Sequence, residues 1–117
     1  MEGIPVAEKR TSTIKSIQRF IAAASTRLDI KKAVLFGSHA SGREREWSDI
    51  DLAVISDDFE GMSAKERSHL LSKIAWETGV TEIDALGYTE AEFAIDDALD
   101  LVSEIKEHGV VVYEKQG

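Results

Sequence analysis

Ala33 to Ile55 reads AVLFGSHASGREREWSDIDLAVI. It contains an apolar strand (Ala33–Phe36), a Gly37-Ser38 turn, a polar connection, and a second strand (Ile50–Ile55) opening on two alternating aspartates, Asp49 and Asp51. Side chains of a strand alternate between faces, so Asp49 and Asp51 point the same way. Two carboxylates one pleat apart can share a pair of hard cations about 3.5–4 Å apart, a spacing suited to clamping an in-line phosphoryl displacement. Gly37 lets the backbone approach a ligand closely, and Ser38 offers a hydroxyl and an amide to phosphate oxygens. One half of the stretch is suited to metal and the other to phosphate, which points to nucleotide chemistry.

The flanking sequence supplies the rest of a layered fold. Ile14, Ile17, Phe20, Ile21, Ala24 and Leu28 recur at helical spacing over 12–28, behind Thr11-Ser12-Thr13 as cap candidates. Ser38 to about Arg45 is compatible with a short helix whose N-terminus would face phosphates. Ser63-Ala-Lys-Glu66 reads as a capping box for a helix that closes at Gly79, with Leu70, Leu71, Ile74 and Ala75 turned to the core. Thr81–Leu86 is a third strand, with Ile83 and Ala85 on one face and Glu82, Asp84 and Leu86 on the other. Thr89-Glu-Ala-Glu92 is a second capping box, opening a helix that breaks near Asp96 and runs to His108-Gly109. Val110–Tyr113 is the last strand. Helices alternating with strands make the class α/β, a small mixed β-sheet with flanking helices.

The 117 residues fit a single domain, 1–117, with residues 1–10 as a loose N-terminus. There is no cysteine, so neither a disulfide framework nor a thiolate metal site is available. No run approaches the ~20 apolar residues of a membrane helix, and the expected location is cytoplasmic. A formal net charge of −8 argues against general nucleic-acid binding, which rests on cationic contacts to phosphates. Asp57-Asp58, Asp96-Asp97 and Asp100 are most simply solvated faces.

Gly37-Ser38, Ser48-Asp49-Ile50-Asp51-Leu52, the acidic third strand and Gly109-Val-Val-Val-Tyr113 together resemble the DNA polymerase β-like nucleotidyltransferase superfamily. The short chain looks like its minimal nucleotidyltransferases, often the antitoxin partners of HEPN-domain ribonuclease toxins. The resemblance implies a palm-like fold and a transferase that uses magnesium, two ions, and ATP. Asp49, Asp51 and Asp84 would be the catalytic and metal-binding residues, and Gly37 and Ser38 would hold phosphates. Asp84 is preferred for the third carboxylate because the family shows an apolar residue just before it, here Ile83; Glu82 is the second choice. The implied reaction moves AMP from ATP onto a hydroxyl of a partner protein, the HEPN toxin. A noncatalytic antitoxin, and transfer to a small molecule such as an aminoglycoside, are the alternatives.

The chain departs from the family pattern at His39 and Ser41, where relatives commonly carry arginine. Arg43 is the candidate to replace that charge, since a guanidinium suits phosphate oxygens. Arg45 alternates with Glu44 and Glu46 like a solvated loop residue. Trp47 reads as loop packing, Trp76 as core or interface, and His108 as a cation placed at a helix C-terminus.

Overall fold

Ile17, Phe20, Ile21 and Ala24 share one helical face, and in the computed structural model they are buried on helix α1, Val6–Ala24. The structure describes residues 6–37, 49–95 and 101–116. Helix α1 begins inside the segment expected to be loose and ends before Leu28. Leu28 stays buried in the turn that follows, its amide donating to the Ala24 carbonyl at 2.9 Å. Ile14 shares the apolar face but is 51% exposed, so the packing ends at Ile17.

The other elements of the described residues are β1 (Lys32–Phe36), β2 (Ile50–Ile55), a 3-10 turn (Asp57–Phe59), α2 (Ala64–Thr78), β3 (Ile83–Tyr88), α3 (Glu90–Ala94), α4 (Leu101–His108) and β4 (Val110–Glu114). Among these residues four strands form one mixed sheet in the order β3-β2-β1-β4. Strand β1 is antiparallel to both β2 and β4, with a bulge against β4, and β2 is parallel to β3. A parallel pair needs a long crossover, and α2 supplies it. The expected α/β class with a small mixed sheet and flanking helices is the observed one.

The two sheet faces are covered unequally. Ala33, Ile50, Leu52, Val54, Ile83 and Ala85 join α1 and α2 in the main core. Phe20, Leu52, Phe59 and Leu71 are fully enclosed there, each contributing about 1.5–3 kcal/mol of burial. On the other face Val34, Ala53 and Ile55 pack under Ile105 of α4 in a smaller cluster. That cover lies toward one end of the strands.

Caps and ion pairs fix the helices. Ser63 accepts from the Glu66 amide at 3.1 Å while Glu66 accepts from the Ser63 amide at 2.8 Å. Thr89 and Glu92 repeat the exchange at 3.1 and 2.9 Å, and Gly79 closes α2. Arg67, whose side chain is only 11% exposed, grips both carboxylate oxygens of Glu92 at 2.5 and 3.0 Å and donates to the Met62 and Gly87 carbonyls. This pairing raises the Arg67 pKa and holds the Glu92 carboxyl below the usual carboxylate range.

Two further expectations are corrected, on Trp76 and on the start of β3, while Asp57 and Asp58 are exposed as expected and also engaged. Asp57 accepts from the Glu90 amide and Lys31, both at 3.0 Å, and Asp58 accepts from the Asp29 amide at 2.7 Å. Trp76 is 76% exposed and is no core residue. Strand β3 starts two residues later than expected, because Thr81 and Glu82 turn and the Ile83 amide donates to the Val80 carbonyl at 3.1 Å. Asp96, Asp97 and Asp100 lie outside the described residues. No described helix is long and apolar enough to cross a membrane.

Candidate functional site

Alternation along β2 separates Ile50, Leu52 and Val54, which enter the main core, from Asp51, Ala53 and Ile55 on the opposite face. The register against β3 pairs Asp51 with Asp84, and the register against β1 pairs Asp51 with Phe36. Directly opposed residues share a face, so Phe36, Asp51 and Asp84 lie in one row across three strands. Ile105 and α4 cover the other end of this face, near Val34 and Ile55. Asp84 is exposed and Asp51 half-buried. Asp49 is exposed on the residue just before β2 and belongs by parity to the same face.

Glu82 precedes β3 and is exposed, and its carbonyl accepts the Ile50 amide at 2.8 Å. Asp84, not Glu82, is therefore the acidic residue of β3 that stands across from Asp51. Among the described residues no Lys, Arg or His side chain forms an ion pair with Asp49 or Asp84.

Gly37 ends β1 with φ +72°, in the left-handed region that costs residues bearing a Cβ about 1–2 kcal/mol. A Cβ built there would lie 2.3 Å from Oδ2 of Asp51 and 3.2 Å from its Cγ. The missing side chain is thus the space that the Asp51 carboxylate occupies. The sequence singles out both residues; their direct contact appears only in the fold.

The donor set suits a hard divalent cation, which takes carboxylate oxygens in preference to nitrogen or sulfur. The carboxylates share a face without closing on one point. Among the described residues no group of three or more His, Asp or Glu is gathered tightly enough to hold a metal ion. Binding would require rotation of these side chains, which two exposed aspartates can undergo.

Ser38 and Arg43, the other expected phosphate contacts, lie outside the described residues, as do His39, Ser41, Arg45 and Trp47. Phe36 reads in the sequence as the end of a buried strand. The register makes it a half-buried neighbour of Asp51 on the carboxylate face, a position readable only from its parity with Val34.

The fold and the sequence both have relatives. A candidate nucleotidyltransferase from Sulfolobus solfataricus, solved as a crystal structure, superposes with a TM-score of 0.73 at 17% identity, over 97% of this chain and 91% of that one. The crystal structure of a toxin-antitoxin with AMP-PNP matches with a TM-score of 0.58 at 19% identity, over 88% of this chain and 74% of that one. At such identities the likeness is one of fold. No curated protein matches the sequence significantly. The family of polymerase beta nucleotidyltransferases matches residues 18–117, taking in the Gly37 turn and all three aspartates, and the chain belongs to that family.

Proposed function

We propose that this nucleotidyltransferase is metal-dependent and moves a nucleoside monophosphate, AMP from ATP, onto a hydroxyl of a partner protein, as the antitoxin of a HEPN ribonuclease toxin. The observation that carries the reading is the β2–β3 register, which sets Asp51 beside Asp84 on one face and next to Gly37. A fold shared with a protein described as a toxin-antitoxin with AMP-PNP supports the nucleotide and the partner.

In the proposed reaction the acceptor hydroxyl releases its proton to water, its oxygen bonds to the α-phosphorus, the bond from that phosphorus to the oxygen bridging to the β-phosphate breaks, and pyrophosphate leaves. Asp49, Asp51 and Asp84 would hold magnesium, two ions, which when bound neutralise phosphate charge and acidify the acceptor hydroxyl. Gly37 leaves room for Asp51 and for phosphate against the backbone, with Ser38 and Arg43 as further phosphate contacts. Asp84, exposed on an outer strand of the described sheet, would be open to an arriving acceptor. Most of the catalysis is then positioning and charge neutralisation.

The test is incubation with α-labelled ATP and magnesium, with and without a HEPN protein. Label on the HEPN protein, lost in Asp49→Asn and Asp51→Asn, is the expected result. Calorimetry should show ATP binding strengthened by magnesium, since unscreened carboxylates repel a triphosphate. Equal ATP affinity in magnesium and in chelator would overturn the site. A noncatalytic antitoxin is the second reading, favoured by His39 and Ser41, which stand where relatives commonly carry arginine. It predicts a HEPN protein that is bound but never labelled.

A further inference from the structure

The two edges of the sheet are treated differently. On β3, the Glu82 and Tyr88 carbonyls accept the Ile50 and Ser56 amides, so by alternation the Gly87 carbonyl points away from β2. Arg67 donates to that carbonyl, and the Phe59 ring lies against the Gly87 backbone. At Gly87 the outward carbonyl of this edge is thus occupied. On β4, among the described residues, no strand pairs with the outer side. Val110 is 48% exposed and Val111 50% exposed. They stand across from Leu35 and Val34, hence on opposite faces, so the edge is apolar above and below the sheet.

Unpaired apolar edges are templates for strand addition, and proteins ordinarily blunt them with charge. Here Val110-Val-Val-Tyr113 carries none, in a chain of net charge −8. We infer that β4 pairs with β4 of a second copy, antiparallel about a two-fold axis, joining two four-stranded sheets into one. An antiparallel edge is its own complement, since the same residues meet from both sides. The uncharged run lets two acidic chains meet without opposing carboxylates. The flanking charges are neutralised within each chain, Glu114 by Lys32 at 3.5 Å and Lys115 against Asp29 at 2.7 Å. A two-fold pairing uses the β4 edge of both copies and so closes at two. Asp51 and Asp84 lie two and three strands away from β4 and stay clear of the junction.

Sedimentation equilibrium of the whole chain, from low to high micromolar, should give the mass of two chains. Val110→Lys combined with Val111→Lys should return it to one chain with an unchanged circular dichroism spectrum, as both side chains are half-exposed. If that variant misfolds, amide exchange in the unmodified chain decides. The outward amides of β4 should be protected at high concentration and exchange freely on dilution. A one-chain mass throughout, a double variant that stays paired, or β4 exchange independent of concentration would each overturn the inference. The first would leave the edge to a strand of another protein.

Discussion

Gly37→Ala separates two jobs of one glycine. A Cβ at φ +72° costs about 1–2 kcal/mol of backbone strain; the stiffer unfolded chain returns a few tenths, leaving a net loss of about 1 kcal/mol. In a chain of this size that lowers Tm by roughly 3–6 °C. The second effect falls on Asp51. Its Oδ2 lies 2.3 Å from where the Cβ would be, whereas ordinary van der Waals contact begins near 3.4 Å. The carboxylate must move by roughly 1 Å, a displacement that costs on the order of 100-fold in rate at a positioned reacting group, or about 2.7 kcal/mol of activation free energy.

The molecule supplies its own control. Gly61 has φ +83° and nothing within 4 Å of the point a Cβ would occupy, so Gly61→Ala carries the strain without a collision. Gly37→Asn does the converse, because asparagine tolerates the left-handed region yet keeps the Cβ. Thermal unfolding should rank Gly37→Ala and Gly61→Ala together, with Gly37→Asn milder. Transfer of label from α-labelled ATP should instead fall about 100-fold in both Gly37 variants and stay within a few-fold of the parent in Gly61→Ala. Gly37 variants as active as Gly61→Ala would show that the placement of the Asp51 carboxylate against Gly37 is irrelevant to turnover.

Asp84→Asn should lower the transfer rate by orders of magnitude with little change in calorimetric ATP affinity, the pattern of an interaction made mainly in the transition state, while Glu82→Gln stays near parental activity. Glu92→Gln should cost about 1–2 kcal/mol in urea unfolding, since it breaks a partly exposed bidentate pair with Arg67. Because Arg67 depresses the folded Glu92 pKa below its ordinary 4.5, the pair's stabilisation is present above that pH and lost as pH falls through the folded value. The variant should therefore flatten the acid limb of stability, and an unchanged limb would remove Glu92 from it. Trp76→Ser should shift stability by no more than about 0.5 kcal/mol, as for other exposed positions; a loss of several kcal/mol in thermal unfolding would mean that the ring packs after all.

Local chemistry makes some elements readable and leaves others hidden. Helix α2 is legible at both ends because Ser63, Glu66 and Gly79 carry the capping groups themselves. Trp76 misleads because apolarity alone does not give direction. At about 100° per residue it lies roughly 150° from the centre of the buried arc of Leu71, Ile74 and Ala75. The start of α1 is hidden because residues 6–11 lack the apolar spacing that marks Ile17 to Ala24. At the site, the shared parity of Asp49 and Asp51 is written within one strand, whereas the register between β2 and β3 is not. It depends on where the Thr81-Glu82 turn releases the chain, a contact between the Ile83 amide and the Val80 carbonyl. A slip of one residue would set Ile83 across from Asp51 and send Asp84 into the core face. Continuing the observed register one step past the ladder brings Glu82 level with Asp49. Both acidic residues near the start of β3 thus have an aspartate opposite, but Asp84 alone does so within the hydrogen-bonded ladder, across from the carboxylate that Gly37 makes room for. The ladder fixes the backbone beneath Asp84, whereas Glu82 stands one step outside it and is joined to β2 only through its carbonyl, which accepts the Ile50 amide.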